Sequence, residues 1–358
     1  MIKSIKLKNF RNFTNQEFSF DENKNFIIWE NWKWKTNILE AISLFSWTNI
    51  VKINFENLVK KNNDIFYIEN QLSSWEKTSI SFNKKENKKK FILNWKNTTR
   101  KNLKNNNPII VSFSPIIMNM MYLSPSLRRD FLDEILSKSF LEYNSYLKEY
   151  KKILISRNKV LKNIRDWKSK KSEIEFWDKK FIELSKVIYN YRFWLVDFLK
   201  GNSKEFTNYF SWKIQKIDFT YKTKISIKKE NSKQEKFELI EKQIKKYLNK
   251  NIDRDIILAS TQIGPHIDDF EIFVDDIELI NYASRWEVKS VILWLKLLEI
   301  KFIEKYLNKK PILLIDDLLS ELDKNHKNLL LDNIKNYQTF ITSIREEYDW
   351  TWKKIYLK

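Results

Sequence analysis

Two glycines in 358 residues, against 14 tryptophans, constrain this chain more than any other feature. Average usage is about 7% glycine, or roughly 25 residues in a chain of this length. A protein this large needs left-handed turns and helix C-caps, and glycine is their default residue because it lacks a Cβ. Several tryptophans stand at such places. Trp47 follows the helical pattern "NILEAISLFS", where a C′ glycine is preferred. Trp95 in "FILNWKNTT" occupies the second place of an Asn-Gly hairpin turn, and Trp350 in "EEYDWTWKKIYL" that of an Asp-Gly turn. A large indole at φ > 0 is strained at a single site, and here it recurs. We therefore expect most of these positions to be glycine in the protein as made, as in bacterial lineages that read the codon UGA as glycine. The richness in Lys, Asn, Ile, Phe and Tyr fits an AT-rich gene, in which that codon is frequent. Trp177 is the expected exception. It falls on the helical stripe Ile174, Trp177, Phe181, Leu184, Ile188, Tyr191, Leu195 and Phe198, where a core indole is welcome.

The length allows two or three domains with a sizeable core. A formal charge of +20 and a pI near 9.6 point to a polyanionic partner, with nucleic acid ahead of an anionic membrane surface. Cysteine is absent, which excludes disulfides, thiolate zinc sites and Cys nucleophiles and suits a reducing cytosol. "MIKSIKLKNF" alternates charged and apolar residues, unlike a secretory leader, and no run approaches a membrane span. The expected location is cytoplasmic, with no membrane partner.

Residues 3–8 and 17–20 read as strands, and a strand at 25–28 leads to a helix over about 36–46. Residues 64–113 read as a β-meander with basic, Asn-rich connectors such as "NKKENKKK". Ser124 and Pro125 open a helix as N-cap and first helical residue. From 140 to 200 the pattern is long amphipathic helices. Tyr143, Leu147, Tyr150, Leu154 and Leu161 mark one stripe, and Gly201 closes the pair. These stripes fit an antiparallel helical arm or ordinary core helices equally. A short strand near 216–228 and a further helix follow, and β/α patterning returns at 258–358.

The chemistry concentrates in three stretches. In "NFIIWENWKWKTNILEAI", glycine at 29, 32 and 34 would give G-E-N-G-K-G-K-T, the phosphate loop G-x-x-x-x-G-K-S/T between strand and helix. The ATP-binding residues would then be Trp29, Glu30, Asn31, Trp32, Lys33, Trp34, Lys35, Thr36 and Asn37. Lys35 would reach the β- and γ-phosphates, and Thr36 would place its hydroxyl on Mg²⁺. The helix N-terminus would add its partial positive charge. Lys35-Thr36 alone would equally be a helix start. The second stretch is "PILLIDDLLSELD", 311–323, an apolar strand ending in two acids. Asp316 can hold the Mg²⁺ shell as in a Walker B element, and Asp317 can orient or deprotonate the attacking water. The third is "NYASRWEVKSVILWLKLLEI". With glycine at 286 it reads S-R-G-E before a helix and resembles the signature motif of ABC ATPases (Ser284, Arg285, Trp286, Glu287). Ser320 to Asp323, "SELD", resembles their D-loop. For each short motif taken singly the plain alternative is a helix cap.

Over nearly its full length the chain resembles the RecF family of bacterial DNA-repair ATPases. The cues are "KNFRNF", the phosphate loop, "FSP…SPSLRRDFLDEIL", "SRNKVLK", "EFWDKKF", "GPHIDDF", the signature, "LLIDDLLSELD" and "QTFITS". The family has Trp at the place of Trp177. It usually has Arg where this chain has Ile267, and often Gln where it has Glu287. The resemblance implies an α/β fold: an ABC-type ATPase head with a mixed β-sheet flanked by helices, plus an inserted helical arm. The head would comprise 1–125 and 255–358, and the arm 126–254. It implies ATP and Mg²⁺ as cofactors and a homodimer with ATP sandwiched between subunits. The signature and D-loop would complete the neighbouring subunit's site. It further implies binding to duplex DNA near single-strand gaps, RecR and RecO as partners, RecA loading indirectly, and slow DNA-dependent ATP hydrolysis.

Arg11 resembles the N-terminal basic residue that approaches nucleotide or DNA in related heads, and a surface arginine on a turn is the alternative. Arg128 and Arg129 sit in the first turns of a helix, where cations oppose the macrodipole, which calls for a partner phosphate or carboxylate. The lysines of 148–180 read as a solvated helical face or a DNA track, and no DNA-contacting residue is assigned. About 110 residues separate the "LRR" helix from the returning strands, too few for the coiled coils of chromosome-organising ATPases. An ABC subunit of a transporter would need a Q-loop and switch His that are absent. A basic DNA-binding relative without ATPase activity is the reading if Trp29, Trp32, Trp34 and Trp286 are real.

Overall fold

The structure is a computed structural model that describes residues 1–28, 32–46, 54–205, 216–226, 232–343 and 353–356, with 32–35, 233, 282, 343 and 356 described as backbone alone. The chain forms two compact units, Met1–Asn119 with Ile292–Lys358, and Met120–Val291. The borders expected at 125/126 and 254/255 both fall inside the second unit.

The apolar alternation at the N-terminus folds as a hairpin. β1 (Ile2–Phe10) pairs antiparallel with β2 (Phe13–Ser19), and Phe10 faces Phe13 at the turn. β3 (Lys24–Ile28) leads toward α1 (Trp32–Ser43). The meander follows as β4 (Ile65–Leu72), β5 (Lys77–Asn83), β6 (Lys88–Leu93) and β7 (Lys96–Asn97). These strands join the hairpin in one six-stranded sheet, ordered β2-β1-β4-β5-β6-β7. The meander ends at 97 and not 113. Thr99 caps a short helix, Arg100–Asn105, and β8 (Ile110–Phe113) enters a different sheet. The reason lies in the pattern: "IVSF" is buried at all four positions, as a strand covered on both faces must be.

The second unit contains α2 (Pro125–Ser139), α3 (Leu141–Arg165), α4 (Ile174–Gly201) and α5 (Lys233–Leu258). Ser124 is the N-cap of α2 and Pro125 its first residue. Tyr143, Leu147, Tyr150 and Leu161 of α3 are buried, as are Phe181, Leu184, Ile188 and Leu195 of α4. β9 (Ile217–Lys222), β10 (Asp269–Val274) and β11 (Ile277–Glu278) form a three-stranded antiparallel sheet. Two buried arginines knit the helices. Arg157 donates to Asp178 at 2.7 Å, Asp255 at 3.1 Å and Thr261 at 2.7 Å. Arg192 donates to both oxygens of Asp133 at 3.0 Å, to Tyr221 at 2.9 Å and to the Pro265 carbonyl at 2.6 Å.

α6 (Arg285–Leu307) leads back to the first unit, with β12 (Ile312–Asp316), α7 (Lys324–Asn333), β13 (Thr339–Ser343) and β14 (Lys353–Tyr356). The five-stranded sheet is ordered β14-β3-β13-β12-β8, with every pair parallel. One cluster of buried side chains joins the unit's two sheets, with Ile5, Leu7, Phe66, Ile80 and Phe82 beside Ile27, Ile110, Leu314 and Phe340. The Gln338 side chain clamps them: it accepts from the Ile2 N–H at 2.8 Å and donates to the Ile2 and Asp21 carbonyls at 2.7 and 2.8 Å.

Among the described residues, three tryptophans have left-handed backbone: Trp75 (φ 66), Trp95 (φ 68) and Trp167 (φ 59). Asn94 (φ 47) and Trp95 form the two-residue loop between β6 and β7, with Leu93 paired to Lys96. Two positive φ values in succession are the type I′ geometry for which Asn-Gly is the preferred sequence. Trp75 takes the left-handed place in the β4–β5 hairpin loop. Trp167 is the C′ residue of α3: its N–H bonds Ile164 and the next N–H bonds Asn163, the Schellman pattern that selects glycine. All three indoles are in water, at 73%, 79% and 96% exposure, so apolar burial offsets none of the backbone strain. Trp47 and Trp350 lie outside the described residues. Trp177 and Trp294 sit inside helices with ordinary backbone.

Candidate nucleotide site and interface motifs

In open α/β sheets, ligands bind in the crevice beyond the carboxyl ends of the strands. β3 and β12 are parallel members of one sheet, with β13 between them, so both run their chemistry to the same edge. Beyond β3, Trp29, Glu30 and Asn31 lie outside the described residues. Trp32, Lys33, Trp34 and Lys35 are already helical, so α1 starts four residues before the expected position. Trp32 and Trp34 both belong to α1 and carry helical backbone. The cause is local. A residue with a Cβ favours right-handed helix over the left-handed region, so the non-glycine reading extends the helix backward into the loop.

The next residue connects the first and last parts of the chain. Thr36 Oγ1 donates to Asp316 Oδ1 at 3.4 Å across 280 positions of sequence. Thr342, at the end of β13, donates to the same carboxylate oxygen at 2.9 Å and accepts from the Asp317 N–H at 2.9 Å. Hydroxyl and carboxylate are hard oxygen donors. They match Mg²⁺, which takes one or two carboxylates from a protein and completes its shell with water and phosphate oxygens. Asp317 adopts φ 48, and Ser320 Oγ donates to its carbonyl at 2.7 Å. A cavity of about 140 Å³ adjoins these groups, lined by Arg11, Thr36, Asn37, Glu40, Ser112 and Asp316 among others. Arg11 forms a two-pronged bond to Glu40 of α1, both distances 2.7 Å, and a third to the Asn57 carbonyl at 2.7 Å. It stands on the cavity rim with carboxylate and carbonyl partners.

Ser284 and Glu287 form a reciprocal capping box at the start of α6. The Ser284 N–H donates to Glu287 Oε2 at 2.7 Å, and the Glu287 N–H donates to Ser284 Oγ at 3.3 Å. Glutamate serves this box as well as glutamine. Arg285 and Trp286 are exposed. Asp323 caps α7 by accepting from the His326 N–H at 2.9 Å. Arg128 and Arg129 find carboxylate and carbonyl partners. Arg128 donates twice to Asp269, at 2.8 and 2.6 Å, and Arg129 donates to the Asp268 carbonyl at 2.9 Å.

The "GPHIDDF" turn requires its glycine. Gly264 has φ 124, and a Cβ there would lie 2.7 Å from Phe181 and 2.9 Å from the Tyr150 hydroxyl. His266 Nε2 lies 3.0 Å from the Thr261 carbonyl, which can only accept, so Nδ1 accepts from Tyr150 at 2.7 Å. Burial, reinforced by Arg129, Arg192 and Arg157, holds this imidazole down at about 4. Burial pushes the neighbouring Asp268 carboxyl up to about 6. The histidine's contribution to stability is complete above about 6.5 and is lost as pH falls toward 4. The aspartate's is complete below about 3.8 and is lost as pH rises toward 6. The two slopes oppose between about pH 4 and 6. Urea midpoints measured across that window should change little in the parent protein, fall with rising pH in His266→Gln, and rise in Asp268→Asn. Parallel slopes in the two variants would contradict the assignment.

Sequence reasoning missed Thr342, Glu40 and Gln338. Thr342 had a signal, a hydroxyl beside the end of an apolar strand; the other two depend on which strands become neighbours.

No protein-family model matches the chain. Among curated proteins it is similar to the DNA replication and repair protein RecF of Ruminiclostridium cellulolyticum, 34% identical over 97% of this chain and 94% of the relative. The corresponding protein of Thermoanaerobacter pseudethanolicus is 33% identical over 97% and 95%. Among solved structures it is similar to one described as the recombination mediator protein RecF-ATPrS in the RecFOR pathway. The TM-score is 0.89 at 29% identity, covering 99% of this chain and 96% of that one. An SMC head bound to the winged-helix domain of ScpA superposes with a TM-score of 0.52 at 15% identity, a likeness of fold.

Proposed function

Because the chain belongs to the RecF family of DNA replication and repair proteins, we propose that it is an ATP-driven, DNA-binding protein of recombinational repair. The observation that carries the ATP reading is the Thr36–Asp316 contact, which joins the helix after β3 to the acid that ends β12. Thr36 and Asp316 would hold Mg²⁺, which when bound neutralises phosphate charge. Lys35 binds the β- and γ-phosphates, and Asp317 orients the attacking water. Residues 29–37 wrap the phosphates. Ser284, Arg285, Trp286 and Glu287, with Ser320 and Asp323, complete the site of a second subunit in an ATP-sandwiched dimer. That dimer binds duplex DNA near single-strand gaps in the cytoplasm and works with RecO and RecR in loading RecA, with slow DNA-stimulated hydrolysis. Residues 1–125 and 255–358 are the proposed head, and 126–254 the arm.

This function needs glycine at 29, 32, 34 and 286. The left-handed tryptophans at 75, 95 and 167 support the same substitution at turn and cap positions. A second reading keeps the tryptophans and gives a basic DNA-binding relative without ATPase activity; the helical backbone at 32–35 favours it. Peptide mass spectrometry of the protein from its own cells, covering 25–36 and 285–289, separates the two. Glycine is expected, and a chain carrying it should shift from monomer to dimer on adding ATP in light scattering. Tryptophan in those peptides, or a monomer at saturating ATP, would overturn the proposal.

A further inference from the structure

We propose that the outward face of the six-stranded antiparallel sheet, carrying Lys6, Lys8, Lys88 and Lys90, is the surface that holds the phosphate backbone of duplex DNA. This rests on the DNA-binding reading above and gives it a place. One face of the sheet is spent on the core through Phe66, Ile68, Ile80 and Phe82. The other is set by the strand register. Lys8 lies opposite Tyr67, Tyr67 opposite Ser81, and Ser81 opposite Lys90, so four strands contribute one continuous row. Lys6 and Lys88 lie two residues away on β1 and β6, on the same face. All four lysines are exposed, and none is in an ion pair among the described residues.

The neighbouring cations behave differently. Lys89 points to the opposite face, 4.6 Å from the Phe55 ring, and Lys85 pairs with Asp64 at 2.7 Å. The acids of the outward face are Glu17 and Glu69, the two residues opposite Lys6 on β2 and β4; Glu69 accepts from Tyr67 at 2.6 Å and lies 3.7 Å from Lys77. Between Asn83 and Lys104 there are nine Lys and Arg against one acid, Glu86. In the second unit, many lysines are instead tied to carboxylates: Lys171 to Asp253, Lys186 to Glu241, Lys216 to Asp276 and Lys222 to Glu271. Exposed lysines outside these pairs occur on the helices too, as at Lys151, Lys152, Lys242 and Lys245, but on the sheet four of them share one face around a single register row.

The spacing suits a duplex. Lys8 and Lys90 stand three strand spacings apart, about 14 Å, close to the roughly 12 Å width of the major groove. Their ammonium groups can reach phosphates on both strands. Between them lie Tyr67, whose hydroxyl is turned to Glu69, and the small Ser81, which leaves room for the backbone to approach. Lysine is a point charge on a flexible stem, so this face would position DNA without reading its sequence.

The test is fluorescence anisotropy of a labelled duplex oligonucleotide against the full chain, with and without ATP, over a series of salt concentrations. Each phosphate contact contributes about 0.9 to the slope of log K against log salt. The quadruple variant Lys6→Ala, Lys8→Ala, Lys88→Ala, Lys90→Ala should lose about 3–4 from that slope and bind at least ~10-fold more weakly at low salt. The arm variant Lys151→Ala, Lys152→Ala should bind as the parent does. A parent that binds while the quadruple variant keeps its slope would overturn this placement and leave the DNA-binding reading standing. So would loss of binding in the arm variant alone. A parent that binds no duplex would overturn both. Matching urea midpoints for parent and variants establish that a loss reports contact, because the substituted side chains face water.

Discussion

A chain carrying glycine at 29, 32, 34 and 286 and Asp317→Asn is expected to bind ATP and remain dimeric while hydrolysing it about 10²–10⁴-fold more slowly, the usual weight of a positioned acid or base. The amide keeps the size of the carboxylate but cannot take a proton from water. The turn around it is held largely by backbone groups. The Asp317 N–H is held by Thr342, and its carbonyl accepts from Ser320, so the turn should survive the change. Lys35→Ala is the complementary variant, with binding itself weakened. The check is nucleotide retained after rapid desalting, set beside single-turnover release of phosphate. Ordinary hydrolysis by Asp317→Asn would remove that residue from the chemistry and shift attention to Asp316.

The second large effect is on stability. Arg192→Met should cost about 3–5 kcal/mol, the range for removing one partner of a buried ion pair. Arg192 is 2% exposed, and its guanidinium serves Asp133, Tyr221 and the Pro265 carbonyl together. Without it Asp133 keeps the Tyr143 hydroxyl as a partner but faces that buried site with its charge uncompensated. Methionine fills part of the volume, so the loss is chiefly electrostatic. Urea unfolding followed by circular dichroism measures it. Adding Asp133→Leu should recover much of the loss, because the orphaned carboxylate is then gone. A double variant no more stable than the single one would mean that the guanidinium's bonds to Tyr221 and Pro265 carry the effect.

Local features were legible where one residue type answers one backbone need. The Asn94–Trp95 hairpin, the Ser124–Pro125 helix start and the paired stripes of α3 and α4 follow from short-range pattern alone. The same short-range pattern marks Trp75 and Trp167, in "SSWEK" and "RDWKS". Tertiary choices were less legible. β3 lies between β13 and β14, strands drawn from the far end of the chain, and no periodicity names such partners. The strand at 110–113 left the meander because it needed cover on both faces. For Arg128 the local pattern shows only a cation opposing a helix dipole; the partner, Asp269, lies 141 residues away. At the phosphate loop, motif and backbone disagree, since the written tryptophans make a helix where the glycines would make a cradle.

The Gln338 clamp bears on the order in which this protein can be made. Ile2 is held by a side chain that leaves the ribosome some 336 residues later. The strands of the first 119 residues therefore emerge with β3 lacking both of its sheet neighbours. The second unit, 120–291, is complete well before those neighbours exist. At about 5–20 residues per second, the first unit waits roughly 10–45 s with an apolar sheet face exposed. A nascent chain arrested before residue 338 should then be protease-sensitive in its N-terminal third and protected in its middle. Chaperone demand during synthesis would fall mainly on the earliest-made part of the molecule.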